Sequence, residues 1–151
     1  HILPVSSEKI GSSEISKSTI NQPINDLESL KLDGEQNITS IGKKVENLNE
    51  IEGQYIGLMK FQNNAINKIK SFYTKSKSIF QTTHSNPLNS RLSFENSYMT
   101  DFLQGLINDG QKLKAISIEN GWLELDNIND YEVYENLFKN RKIKQFFKEV
   151  D

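Results

Sequence analysis

The sequence predicts an α/β fold, because segments with the apolar spacing of strands alternate along the chain with segments that have helical spacing. Turn signals, Asp33-Gly34 in the first half and Asn120-Gly121 in the second, separate pairs of short strands. A helical pattern between them ends at Asp109-Gly110, where a glycine commonly stops a helix. The sequence contains no internal repeat.

Composition narrows the possible functions. The 151 residues fit one domain, and a hydrophobic share of 35% predicts a thin core. A net charge of −2 provides no overall basic field for nucleic acid or an anionic membrane. The absence of cysteine excludes disulfides, thiol catalysis and cysteine zinc sites, and two histidines are too few for a multi-histidine site. Any metal would therefore have oxygen ligands, as magnesium and calcium do.

Neither a membrane span nor a secretion signal is expected. The mean hydropathy is −0.61, and no apolar run is long enough to cross a bilayer. No N-terminal stretch combines a charged segment with an apolar one, as signal peptides do. Together with the lack of cysteine, these features favour a cytoplasmic location.

The first third of the chain predicts mainly strands. Residues 1–22 are rich in Ser, Glu, Lys and Thr and are expected to be irregular, with at most one short strand. Leucines at 27, 30 and 32 predict a strand, and 37–43 predicts its partner across the turn. Residues 51–61 form a near-continuous apolar run with two glycines, which favours a buried strand over a helix.

Two helices and two strands are predicted next, followed by a last helix. Residues 63–80 and 93–109 carry apolar stripes at helical spacing. Asn127 or Asn129 can cap the last helix. The two strands, which lie between the second helix and the last, are predicted over 113–118 and 122–126. An amphipathic helix with a solvated lysine face is predicted over 139–151.

Asp126 is the strongest candidate for chemistry. It ends a predicted strand directly before a helix start, and ligands bind at the carboxyl ends of strands in open α/β sheets. A carboxylate there can hold magnesium against substrate phosphates. The alternative is an acid that only stabilises a helix start through the helix dipole, and physics alone favours this alternative.

Two residue pairs in the first half could line a substrate site. Lys43 and Lys44 end a strand, where an ammonium group can bind a phosphate or simply be solvated. Glu52 and Gly53 open the apolar run at 51–61. The carboxylate could meet a substrate hydroxyl or a cation, or it could be an edge charge beside a bulge glycine.

Tyr98 and Thr100 stand at a helix entry. The tyrosine could form the wall of a pocket, and both could instead be core or capping groups. The common phosphate-binding motifs GxxxxGK[ST] and GxGxxG are absent, and so is the nucleophile motif GxSxG.

Two segments resemble a known family. The segments, 38–61 with EGQYIGLMKF and 98–137 with GWLELDNINDYE, are similar to the C-terminal half of the sugar-phosphate nucleotidyltransferase-like family. Their closest likeness is to its phosphocholine and phosphonate cytidylyltransferase branch. The resemblance implies a Rossmann-like three-layer α/β/α sandwich, C-terminal half only. Over 23–138 it implies the acceptor-side half of such a domain, between an irregular segment 1–22 and the helix 139–151.

The resemblance also implies an activity and roles for residues. Members transfer a nucleotidyl group from an NTP, here expected to be CTP, to a phosphorylated small molecule or phosphonate, with magnesium and release of pyrophosphate. Asp126 matches the second metal-binding aspartate of the family. Lys43 or Lys44 matches a lysine that contacts the acceptor phosphate. Glu52, Gly53 and Tyr98 match positions in the acceptor pocket, where Thr100 is expected to join them.

The chain departs from the family at its start. The family's glycine-rich nucleotide loop does not follow ILPV, and no aspartate precedes Asp26. The sequence therefore resembles a C-terminal part of such an enzyme or a degenerate relative, and we expect little transfer activity from these residues alone. A non-catalytic binding module derived from the same fold is one alternative. An unrelated α/β domain is the other.

Overall fold

The computed structural model of the chain describes residues 2–6, 28–44, 52–118, 125 and 127–142. In this part of the chain the strands are β1 (Ile2–Ser6), β2 (Glu28–Leu32), β3 (Ile38–Lys44), β4 (Gln54–Tyr55) and β5 (Lys114–Ile118). The α-helices are α1 (Ala65–Thr83), α2 (Met99–Asn108) and α3 (Ile128–Lys139), and a 3-10 turn, Phe94–Asn96, precedes α2.

A parallel strand pair brings distant parts of the sequence together. β1 is the middle strand of the order β4-β1-β5, antiparallel to β4 and parallel to β5. Parallel neighbours require a long crossover connection, and both α1 and α2 lie in the sequence between β1 and β5. This mixture of helices and strands agrees with the predicted α/β class.

β2 and β3 form an antiparallel hairpin whose turn is organised by Asp33. Its Oδ1 accepts hydrogen bonds from the N–H groups of Glu35 and Asn37, at 2.9 and 2.8 Å. Its Oδ2 accepts a third from Asn37 Nδ2 at 2.8 Å. Hydrogen bonds from Asn37 in particular hold the pKa of Asp33 below its ordinary value. The predicted turn is confirmed, although its left-handed residue is Gln36, with φ 64°.

A register shift explains how two isoleucines three residues apart in β3 are both buried. Regular alternation would place Ile38 and Ile41 on opposite faces, yet they are only 3% and 2% exposed. Ile38 pairs with Leu32 and Ile41 with Leu30, so β3 has one residue more than β2 between these pairs. The extra residue returns the second isoleucine to the buried face.

The hydrophobic core draws its side chains from the hairpin, α1, α2 and β5. Phe72 of α1 packs against Phe102 of α2, with ring centroids 5.4 Å apart. Gly105 allows this close approach, since a Cβ there would lie 2.9 Å from both the Phe72 ring and the Leu88 side chain. The buried core residues are Leu30, Ile38, Ile41, Phe72, Leu103, Leu106, Leu113 and Ala115.

The two central helices are present, with one boundary wrong. α1 covers the helix predicted over 63–80. The helix predicted over 93–109 begins only at Met99, because a 3-10 turn precedes it and Tyr98 is extended, with ψ 159°. The Asp101 carboxylate accepts a hydrogen bond from the Tyr98 N–H at 2.9 Å, which caps this helix start.

The buried strand predicted over 51–61 is wrong for most of its length. Only Gln54–Tyr55 is a strand among its described residues. Gly57 has a left-handed backbone, with φ 77°, which interrupts the extended conformation of a strand. Leu58 is consequently 51% exposed.

The predictions for the chain ends are tested in part. β1 confirms the short strand near the N-terminus, and β5 confirms the strand at 113–118. Asn127 caps α3, since its side chain accepts hydrogen bonds from the N–H groups of Asn129 and Asp130. The described residues do not include 7–22 or 143–151. Of the strand predicted over 122–126, they include only Leu125. Across the described ranges, every helix is too short or too polar to cross a membrane.

Candidate functional site

The end of β3 presents two neighbouring lysines to solvent. Lys43 and Lys44 are both exposed, whereas regular alternation from the buried Ile41 would turn Lys43 inward. A second register shift turns Lys43 away from this face and places Lys44 on it, where Lys44 is exposed at the end of the strand. Leu30 pairs with Ile41 but Glu28 pairs with Lys44, so two residues of β3 lie opposite one residue of β2. This arrangement is a β-bulge, a feature that re-aims side chains.

The first turn of α2 packs against this bulge. Gly42 in the bulge is left-handed, with φ 74°, and a Cβ on it would lie 2.5 Å from the Thr100 Cβ. Thr100 is therefore buried, at 8% exposed, while Tyr98 at the cap of the same helix is 64% exposed. The structure thus brings the elements that carry Lys43, Tyr98 and Thr100 together.

A side-chain amide fixes α2 to β3 at a second point. Gln104 Oε1 accepts a hydrogen bond from the Ile41 N–H at 2.9 Å. Gln104 Nε2 in turn donates to Asn108 Oδ1 at 2.9 Å. Because a backbone N–H left without a partner is costly, this contact favours one position of the helix on the strand.

Glu28 adds a carboxylate beside Thr100. The Thr100 hydroxyl hydrogen bonds to this carboxylate, and Glu28 pairs in register with Lys44. Glu28 is exposed as a residue, yet neighbouring atoms displace water from its carboxyl group, and this desolvation raises its pKa above the ordinary value. The charge of Asp101 adds to the rise in pKa, and the Thr100 hydrogen bond opposes it.

Neither lysine of the bulge has a counter-ion among the described residues. The ion pairs found there are Lys75–Asp109, Lys112–Glu35 and Lys139–Glu135. Exposed ammonium groups without a carboxylate partner attract anions, and they bind phosphate oxygens as point charges. The chemistry available at this end of the hairpin is therefore anion binding.

Glu52 and Gly53 lie on the opposite edge of β2 from β3. The Glu52 N–H donates to the Leu30 carbonyl at 2.9 Å, and its carboxylate accepts a hydrogen bond from the Leu32 N–H at 2.6 Å. Glu52 thus satisfies backbone groups of the strand edge, and Gly53 is buried beside it. The structure places these two predicted residues across the hairpin from α2, so they do not join the lysine cluster.

The predicted metal ligand Asp126 lies outside the described residues. In the ranges that are described, no group of three or more acidic or histidine side chains could hold a metal ion.

Three residues of the site were not predicted: Ser29, Glu28 and Gln104. The glycine in SIGKK was a usable signal, since an isolated glycine inside a strand pattern often marks a bulge. The hydrogen bond from the Lys43 N–H to Ser29 Oγ depends on the register of the two strands. The hydrogen bond from the Ile41 N–H to Gln104 depends on the placement of α2. Nothing in their sequence context indicates either.

Comparison with known proteins gives one similarity. The chain is 38% identical over 111 residues to the CTP:phosphoglutamine cytidylyltransferase of Campylobacter jejuni, serotype O:2. It is similar to a cytidylyltransferase. The aligned part covers 74% of the chain, and the chain spans 41% of the length of this relative. No protein-family model and no solved structure matches.

The similarity supports a cytidylyltransferase-type domain. It agrees with the nucleotidyltransferase resemblance of segments 38–61 and 98–137.

Proposed function

We propose that this chain forms the acceptor-side part of a cytidylyltransferase. The reaction joins an oxygen of an acceptor phosphate or phosphonate to the α-phosphorus of CTP, and pyrophosphate leaves. The similarity to a CTP:phosphoglutamine cytidylyltransferase supports CTP as the donor and a phosphorylated small molecule as the acceptor. A three-layer Rossmann-like sandwich is the fold that we propose for the complete domain.

The observation that carries the proposal is the exposed lysine pair at the end of β3, which has no ion-pair partner among the described residues. An acceptor phosphate carries up to two negative charges, and Lys43 and Lys44 supply two positive ones. Neither lysine has a carboxylate partner in the described part of the chain. We therefore propose that both bind the acceptor phosphate, a role that the family resemblance implies for one of the two.

Neighbouring groups can recognise the rest of the acceptor. The exposed ring of Tyr98 provides a flat apolar surface beside the bulge. Thr100 is buried and already bonded to Glu28, so it supports the site through Gly42 and Glu28. We keep Glu52 and Gly53 as acceptor-pocket candidates on the other edge of β2.

Magnesium remains part of the proposal through Asp126. When bound, it would neutralise charge on the CTP phosphates, and one or two carboxylates usually hold it. The described residues contribute anion binding and acceptor positioning, which do not require this ion.

The reaction is tested by measuring pyrophosphate release with CTP, magnesium and a panel of acceptors. The panel contains phosphocholine, aminoethylphosphonate, a sugar 1-phosphate and phosphoglutamine, and ATP, GTP and UTP replace CTP in parallel. The assay uses the product of the complete reading frame and, separately, the 151 residues. We expect CTP-dependent release from the complete product and little from the 151 residues alone.

The lysine assignment is tested in the same assay. We expect Lys43→Ala combined with Lys44→Ala to raise the KM for the acceptor while the KM for CTP changes little. Lys31→Ala, which removes an exposed lysine from β2, is the matched control and should leave both unchanged. Acceptor binding without any transfer by the complete product would favour a non-catalytic binding module instead.

A further inference from the structure

The bulge that contains Gly42 and Lys43 is held by one buried hydroxyl. Ser29 of β2 is 3% exposed, and its Oγ accepts a hydrogen bond from the Lys43 N–H at 3.2 Å. The same oxygen lies 3.4 Å from the Ser40 Oγ. Ser29 is the residue that faces both Gly42 and Lys43 across the hairpin.

This hydrogen bond compensates for a defect that every bulge creates. The extra residue of a bulge loses its regular ladder partner, and an unpaired backbone N–H is costly away from water. The Ser29 hydroxyl replaces the missing carbonyl for Lys43. Ser29 is itself too buried for water to satisfy its hydroxyl, so the two groups depend on each other.

The opposite side of the bulge is enclosed by α2. Thr100 fills the space that a side chain at residue 42 would need, and Gln104 holds the N–H of Ile41. The bulge is therefore bracketed by Ser29 from β2 and by two side chains of α2. Without it, strand alternation would place Lys43, instead of Lys44, on the face of Ile41.

From this geometry we infer that Ser29 is a positioning residue for anion binding, because its hydroxyl bonds to the backbone of Lys43 and fixes the bulge that turns this lysine away from the face of Ile41. The inference rests on the proposed function for the nature of the anion, a phosphate. Ser29 does not touch the ligand, since it is buried under the strand and acts through the backbone of Lys43.

The test uses Ser29→Ala with Ser40→Ala as its matched control. Ser40→Ala removes the second hydroxyl of the pair but keeps the bond from Ser29 to Lys43. Ser29→Thr keeps a hydroxyl at residue 29 and serves as the rescue. Ser29→Cys, which has nearly the same size but a weak acceptor, replaces the alanine variant if that variant does not fold.

Two readouts separate positioning from general stability. Amide hydrogen exchange reports on the Lys43 N–H and, for comparison, on the core residue Leu106. Titration calorimetry with phosphocholine and with inorganic phosphate reports on anion binding. We expect Ser29→Ala to speed exchange at Lys43 without a matching change at Leu106, and to weaken phosphate binding about two- to tenfold. Ser29→Thr should recover binding, and Ser40→Ala should behave like the parent protein.

The outcomes distinguish this inference from the proposed function. If the parent protein binds phosphate and Ser29→Ala binds it equally well, Ser29 is not a positioning residue. If exchange at Lys43 and at Leu106 rises by the same factor, Ser29 acts only on global stability, which also overturns the inference. If the parent protein binds neither probe, the proposed role of the lysines is overturned, and the positioning role with it.

Discussion

Gly42 and Thr100 are in such close contact that a Cβ on the glycine would lie 2.5 Å from the threonine Cβ and 2.7 Å from its Oγ1. Real Cβ atoms do not approach other atoms so closely. This contact joins the bulge of β3 to the first turn of α2. It therefore fixes the distance between the strand that carries Lys43 and the helix capped at Tyr98.

Substitution of this glycine should destabilise the protein. Gly42→Ala combines a left-handed backbone with a clash against Thr100, and we expect a loss of about 2–4 kcal/mol in the free energy of unfolding. Chemical denaturation measures the change. Gly34→Ala is the control, since nothing lies within 4 Å of a Cβ at that position. A Gly42→Ala protein as stable as the Gly34→Ala protein would show that α2 does not pack on the bulge as described.

Removal of the Glu28 charge should stabilise the protein near neutral pH. Desolvation and Asp101 raise the pKa of Glu28 in the folded state, so the folded protein binds more protons than the unfolded chain between the two pKa values. The stability from the protonated form is full below the unfolded pKa and is lost as pH rises through the raised folded pKa. Glu28→Gln should remove this loss.

Denaturant unfolding gives the free energy of unfolding of the parent protein and of Glu28→Gln. It is measured between about pH 4 and pH 8, where carboxyl groups titrate. The substitution should also strengthen phosphate binding, since a negative charge opposite Lys44 is removed. An unchanged pH profile would contradict the assigned environment of Glu28.

Asp33 should act in the opposite direction. Its pKa is lowered by hydrogen bonds from Asn37, so its contribution to stability is full above the unfolded pKa and is lost as pH falls through the folded one. Asp33→Asn should therefore destabilise the hairpin at neutral pH. It should also make the stability of the protein vary less with pH in the acid range. Thermal melts at acid and neutral pH measure the difference. A variant that loses stability equally at both would show that the carboxylate charge does not matter.

Asp126 can be assigned by one variant of the catalytically active protein. If it binds magnesium, Asp126→Ala should lower kcat at least about tenfold, or roughly 1.4 kcal/mol of transition-state stabilisation, with little change in Tm. If it only stabilises a helix start, the loss should appear as about 0.5–2 kcal/mol of stability instead. Early melting with full turnover per folded molecule would leave the proposed metal site without its ligand.

The sequence predicted those elements whose signals are local. The helix α1, the strand β5, the turn at Asp33 and the cap at Asn127 each follow from spacing or turn chemistry within a few residues. The helix at 93–109 was predicted too long, because an apolar stripe continues through a 3-10 turn. The strand at 51–61 was predicted too long, because a left-handed Gly57 turns the chain there.

The site was only partly accessible to sequence reasoning. Lys43 and Lys44 were recognised as phosphate candidates from their place at a strand end. That Lys43 points away from the face of Ile41 follows from the bulge, which arises from the pairing of Ile41 and Lys44 with two residues of another strand. The contacts of Thr100 with Gly42 and of Gln104 with the Ile41 N–H join residues that are distant in sequence. No local pattern encodes such pairings.

We propose above all that Lys43 and Lys44 together hold an acceptor phosphate. Calorimetric titration with phosphocholine and with phosphoglutamine tests this most directly. It compares the parent protein with the double variant Lys43→Ala, Lys44→Ala. We expect binding by the parent protein and by Lys31→Ala that weakens with added salt, and at least about a tenfold loss of affinity in the double variant. Equal affinity of the parent protein and the double variant, or no binding by either, would contradict it.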